Sequence, residues 1–114
     1  MTCPIDFPWP PKKLSPNGSQ RDYRGKADAR KGYREDCMVL AMAAGAKPPD
    51  SADIPILVEY FPPDRRKRDW DNCVAMSKGL FDGLADAMGI DDSRFVPTIK
   101  MRRDDPRGIV RVTL

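Results

Sequence analysis

The chain has 114 residues, 40% of them hydrophobic, with 20 lysines and arginines against 17 aspartates and glutamates, a formal net charge of +3 and no histidine. That length and apolar share suit a single small core, so one domain is expected over 1–114. The missing histidine removes the commonest general base and the usual zinc ligand, while the spread cysteines Cys3, Cys37 and Cys73 match neither a disulfide framework nor a zinc ribbon. No apolar run is long enough to span a bilayer and no charged-then-apolar leader opens the chain, so a cytoplasmic protein without a membrane partner is expected.

In chain order, Cys3, Ile5 and Phe7 alternate and predict a short strand that Pro8 ends. Pro8-Trp9-Pro10-Pro11 can be neither helix nor central strand. It is a rigid extended exit with Trp9 packed on the domain edge, or alternatively a proline-rich ligand for another domain. Lys12 to Ser19 is a basic loop around Ser15-Pro16-Asn17-Gly18. Ser19 or Asp22 opens a long helix to about Ala44, with Tyr23, Ala27, Tyr33, Cys37, Leu40, Ala41 and Ala44 as its apolar stripe and Gly45 as its cap. Ile54 to Phe61 is the clearest strand. It is apolar on both faces, as an inner strand or a dimer contact would be. A second helix is expected from Asn72 to Met88, with Val74, Ser77, Phe81, Leu84 and Met88 facing the core and Gly89 closing it. Phe95 to Met101 reads as an edge strand interrupted by Pro97. Asp104 to Gly108 reads as a hairpin turn, and Ile109 to Leu114 as the last strand. The order β-α-β-α-β-β predicts an α+β fold, a small mixed sheet with two helices packed on one face.

Charge is unevenly spread. Lys12, Lys13, Arg21, Arg24, Lys26, Arg30, Lys31 and Arg34 crowd the first third. Arg65, Arg66, Lys67 and Arg68 form a second cluster, and Lys100, Arg102 and Arg103 a third. Basic clusters around an acidic site point to a polyanion, against the plainer reading of a solvated surface. The acidic site is Arg68-Asp69-Trp70-Asp71-Asn72. In an extended segment Asp69 and Asp71 share a face, with Trp70 turned away. On a helix that starts near Asp71, Lys78 returns to that face two turns on and Asp82 one turn later. Carboxylates among arginines make a poor core, and hard oxygen ligands suit Mg²⁺ facing phosphate. The alternative is that Asp71 or Asn72 caps the helix.

The segment Pro63-Asp64-Arg65-Arg66-Lys67-Arg68-Asp69-Trp70-Asp71-Asn72 resembles the RusA family of Holliday-junction resolvases. Lys78-Gly79-Leu80-Phe81-Asp82-Gly83-Leu84, Gly89-Ile90-Asp91-Asp92 and Pro8-Trp9-Pro10-Pro11 fit the same pattern, so the resemblance covers nearly the whole chain. It implies a RusA-like fold and a homodimeric endodeoxyribonuclease that resolves four-way DNA junctions by paired symmetric nicks in recombination and repair. It implies Asp69, Asp71 and Asp92 as catalytic carboxylates holding Mg²⁺, with Mn²⁺ as a substitute and no small-molecule cofactor. Lys78 then stabilises negative charge on the phosphate or leaving oxygen, with Asn72 and Asp91 as supporting neighbours. Asp92 is chosen over Asp91 by the family pattern alone. Lys12, Lys13, Asn17, Arg65, Arg66, Lys67 and Arg68 are the expected DNA contacts. The chain departs from the family's best-known short form in one place. Five residues separate Asn72 from Lys78, a longer spacer by nearly one helical turn. Two other readings stay open: a non-catalytic nucleic-acid-binding protein, and a nuclease for other branched or duplex DNA.

Overall fold

The computed structural model describes residues 4–15 and 23–114. Its sheet is built around β2, Ile54–Phe61, where buried Ile54, Ile56, Val58 and Tyr60 alternate with Pro55, Leu57 and Glu59. β3, Phe95–Met101, pairs with one edge of β2 in parallel. β4, Ile109–Thr113, pairs with the other edge antiparallel. β1, Pro4–Pro8, completes the order β1-β4-β2-β3 by pairing antiparallel with β4. The inner strand and the proline-bearing edge strand are thus where the alternation placed them. Cys3 lies outside the described residues.

The helices are α1 (Tyr23–Ala43), α2 (Trp70–Met76) and α3 (Lys78–Met88). α1 and α3 form the layer over the sheet. Tyr33, Cys37 and Ala41 of α1 meet Leu80, Leu84 and Met88 of α3 and, from the sheet, Phe7, Val58, Val110 and Val112 in one cluster. The two helices cross closely because α3 presents Gly79 and Gly83 to α1. A Cβ at Gly83 would overlap the Arg34 carbonyl oxygen and stand 2.9 Å from the Met38 nitrogen. Beside the crossing, Arg34 donates to both Asp86 carboxylate oxygens at 2.6 and 2.9 Å. On the other sheet face Phe61 is buried beneath the Arg107 and Arg111 guanidinium groups. There Arg111 bridges to Asp6, directly opposite it across β1–β4, and Arg102 pairs with Glu59.

Three expectations need correction. The single helix from Asn72 to Met88 is two helices, broken at Ser77, whose φ of −96° and ψ of 14° leave the helical region. The cause is a buried hydroxyl. Ser77 Oγ lies 3.0 Å from the Cys73 carbonyl, 3.1 Å from that of Val74 and 2.6 Å from Tyr60 Oη. Carbonyls only accept, so the Ser77 proton points back into its own helix and Tyr60 donates to Ser77. Such back-bonding competes with the helical ladder and bends it.

The segment after β3 is not a hairpin either, since β3 and β4 lie on opposite sides of β2. Residues 102–108 cross the end of β2 instead, with Arg102 N–H donating to Tyr60 O at 2.8 Å and Arg107 N–H to Pro62 O at 2.9 Å. Gly108, at φ 70°, turns the chain into β4, and its carbonyl accepts from Trp9 N–H at 3.1 Å. Finally, the α1 stripe is narrower than expected. Ala27, Leu40 and Ala44 are exposed, and the helix buries mainly Tyr33, Cys37 and Ala41. Among the described residues no helix is long and apolar enough to cross a membrane.

Candidate functional site

The helix layer ends before the sheet does. Pro97, Ile99 and Met101 of β3 lie opposite Ile56, Val58 and Tyr60 and so share their face. The β2 set is buried, whereas Ile99 and Met101 are half-buried and Pro97 is exposed. The uncovered strip forms the floor of an open groove of about 850 Å³ between β3 and the α2–α3 pair. Trp70, Val74 and Phe81 line it from the helices, and Lys78, Asp92 and Arg103 are its charged residues.

Lys78 opens α3, just past the Ser77 break. Its ammonium donates to Asp92 and lies 3.4 Å from Asp82. The hydrogen bond from Lys78 holds the Asp92 carboxyl below its ordinary value, and Asp92 in turn raises the Lys78 pKa. The adjacent Asp91 has a different task. Its carboxylate accepts the Ser93 N–H at 2.8 Å and caps the short 3-10 turn Asp92–Arg94. The pair that the sequence leaves undivided is therefore split into a turn-former, Asp91, and a partner for the lysine, Asp92.

A second groove, about 680 Å³, lies on the other flank of α2 and is lined by Trp9, Lys12, Arg66, Lys67, Arg68, Asp69 and Asn72. Its basic turn is internally braced. Arg68 donates to Asp64 Oδ1 at 2.7 Å and to the Asp64 and Arg66 carbonyls, and its guanidinium stands 5.8 Å from the Trp9 ring centroid. Arg66 also pairs with Asp64, at 3.2 Å. Arg68 and the Arg66 N–H together hold the Asp64 carboxyl far below the usual carboxylate range. Arg65 and Lys67 are exposed and have no ion-pair partner among the described residues. Trp9 packs edge-on against core Tyr60, with centroids 6.1 Å apart, so it is a packed residue of the exit segment. Lys13 is exposed beside this groove, and Asn17 lies outside the described residues.

The acidic motif differs from its expected geometry. The backbone is extended only as far as Asp69, and helix begins at Trp70. Asp69 takes the N-cap position without a capping side-chain bond, and Asp71 stands inside the first turn, so neither Asp71 nor Asn72 is the cap. Asp69 lines the basic groove while Trp70 lines the apolar one. Asp71 is exposed and lines neither groove. The break at Ser77 also resets the helical register that placed Lys78 above Asp71. Among the described residues no three histidine, cysteine, aspartate or glutamate side chains form a metal-binding group, so Asp69, Asp71 and Asp92 do not come together as one. Lys78 and Asp92 do meet, and Asp82 joins them.

Asp82 stood on the expected Lys78 face without a role. Trp70 was missed, although a tryptophan between two aspartates, outside any apolar stripe, signals an exposed ring; it is 56% exposed. Asp82 and Asp92, converging on one ammonium, supply two hard oxygen donors. That is the number of protein carboxylates Mg²⁺ commonly takes when phosphate and water complete its shell.

No protein-family model matches the chain. A protein of Xylella fastidiosa (strain Temecula1), described as uncharacterized, is similar to it, with 39% identity over 94 residues. The matched stretch is 81% of this chain and 61% of the relative, so the chain spans about three fifths of that relative's length.

Proposed function

We propose that the chain is a metal-dependent endodeoxyribonuclease of RusA-like fold. Its substrate is branched DNA, the four-way junction first, cut by paired nicks from a cytoplasmic homodimer in recombination and repair. The observation that carries the reading is the Lys78–Asp92 pair in the wall of an open groove, with Asp82 beside the lysine and a cation-lined groove on the opposite flank of α2.

Phosphodiester hydrolysis needs charge neutralised on the phosphate, an activated water and a stabilised leaving alkoxide, and a bound Mg²⁺ or Mn²⁺ supplies all of these. Asp92 and Asp82, which converge on Lys78, would hold the ion. Asp69 and Asp71 stand apart from them, Asp69 in the other groove and Asp71 in neither. Lys78 acts as a fixed positive charge rather than a base, because its carboxylate partners favour the ammonium form. Lys12, Arg65 and Lys67 contact phosphates, while Arg66 and Arg68 shape the turn that presents them.

A non-catalytic nucleic-acid-binding protein is the second reading. It is favoured by the ammonium that already neutralises Asp92 and by the lack of a three-carboxylate group among the described residues. The two separate in one assay, incubation of a labelled four-way junction and a matched linear duplex with the protein and Mg²⁺ or Mn²⁺. Paired nicks in the junction alone are expected. Binding without cutting under either metal supports the second reading, and equal cutting of both substrates keeps the nuclease but removes the junction preference.

A further inference from the structure

Resting on the nucleic-acid reading, we infer that the groove between α2 and β3 receives an unpaired nucleobase, stacked on Trp70. The ring is 56% exposed on the first residue of α2, where no core packing requires a tryptophan. It faces a groove with an apolar floor, of which Ile99 and Met101 are the sheet side, and with the Lys78–Asp92 pair and Arg103 in its wall. An apolar slot with an arginine in its wall matches the anatomy of a nucleotide, a flat π-face joined to a phosphate. A purely apolar peptide would leave the Arg103 charge without a carboxylate or phosphate counterpart, since among the described residues it meets only the Arg68 carbonyl.

The neighbouring groove supplies the second reason. Asp69 and Trp70 are adjacent residues that line different grooves, so α2 forms the wall between them. A strand whose phosphates follow Lys12 and Lys67 on one flank has its bases beside Trp70 on the other. Arg103 ties the two sides, donating to the Arg68 carbonyl at 3.4 Å. Bases within continuous duplex are stacked on their neighbours and cannot enter. The substrate class is therefore nucleic acid that offers at least one unpaired base, as at a branch point, gap or single strand.

The test measures binding, so it does not depend on hydrolysis. Affinities for a short oligothymidylate and for a blunt duplex of equal length are compared at one salt concentration, without divalent metal, for the native chain, Trp70→Ala and Trp70→Phe. Trp70→Ala is expected to weaken oligothymidylate binding roughly 5- to 100-fold, the range of one lost base–aromatic stack. Duplex affinity should stay within about two-fold, because phosphate contacts are untouched. Trp70→Phe should keep most of the single-strand affinity. In a Trp9→Phe background, oligothymidylate should quench the fluorescence of Trp70. Equal effects of Trp70→Ala on both probes, or none on either, would overturn the inference while leaving the nuclease reading intact. A dimer in sedimentation that Trp70→Ala converts to monomer would also overturn it, by assigning the groove to a second copy. Binding of neither probe by the native chain removes both readings. Trp70-dependent single-strand binding, together with no nicking in the separate assay with Mg²⁺ or Mn²⁺, removes the nuclease reading alone.

Discussion

On the β3 side of α2 the groove wall is Phe81, Phe95, Ile99 and Met101, with Lys78 and Asp92 paired within it. On the other side it is Lys12, Arg66, Lys67 and Arg68 around Asp69. The first groove exists because the helix layer stops short of the edge strand. The second exists because Pro62-Pro63 ends β2 and the chain folds back on Asp64 before helix can begin. The contrast separates two tasks that the sequence runs together in a few residues. Arginines that look alike in the chain divide into Arg66 and Arg68, which hold the turn, and Arg65, which is exposed to solvent. Carboxylates that look alike divide into Asp64 and Asp91, which form turns, and Asp92, which meets a lysine inside a groove.

The largest way to break this arrangement is to push α3 off α1. Gly83→Ala sets a methyl against the Arg34 backbone, which cannot rotate away as a side chain would, and should destabilise by about 1–3 kcal/mol in urea unfolding. The same change should disturb the α3 groove, which holds Lys78 and Phe81, more than the basic one. Ser77→Ala is next. It leaves the Tyr60 hydroxyl buried without its partner, at a cost of about 1–3 kcal/mol, and the double variant with Tyr60→Phe should recover part of that loss.

On the basic turn, Arg65→Ala or Lys67→Ala should leave stability near native and lower the slope of log affinity against log salt by about 1 each. Arg68→Ala should instead reduce stability, since it leaves Asp64 with Arg66 alone and uncovers Trp9. Equal effects from Arg65 and Arg68 would dissolve the division between exposed and bracing arginines.

The smallest expected effect is on stability at the Lys78–Asp92 pair, which is largely exposed and should contribute about 0–1 kcal/mol. Its pH dependence has a definite sign. A lowered Asp92 pKa means that the contribution is present at neutral pH and is lost as pH falls through that lowered value, below the ordinary carboxylate range. A raised Lys78 pKa means that the contribution is fully present below the ordinary lysine value and is lost as pH rises from there through the raised value. Unfolding curves of native chain and Asp92→Asn should therefore differ slightly at neutral pH and converge in strong acid.

Much of the fold was legible because period-two alternation survives in β2, β3 and β4, and because Gly89, at φ 68°, closes α3 where the apolar stripe stops. The break at Ser77 was not. A serine on an apolar stripe looks like any small core residue until Tyr60, distant in sequence, supplies the hydroxyl that fixes it. The crossing at 102–108 was hidden for a related reason. Asp-Asp-Pro-Arg-Gly has turn chemistry, but turn chemistry does not say which strand lies next door. Of the residues expected at the site, Lys78 and Asp92 touch. Asp69 and Asp71 were grouped by an extended geometry that ends one residue too early, because α2 starts at Trp70.

The most direct test is the nicking rate of Asp92→Asn on a labelled four-way junction with Mg²⁺, beside the native chain at equal folded concentration. If Asp92 serves chemistry, the variant loses paired nicking while its unfolding midpoint and junction affinity stay near native. If Asp92→Asn cuts at the native rate, or if the native chain cuts nothing and the variant only unfolds more easily, the Lys78–Asp92 pair is a surface brace and the account is contradicted.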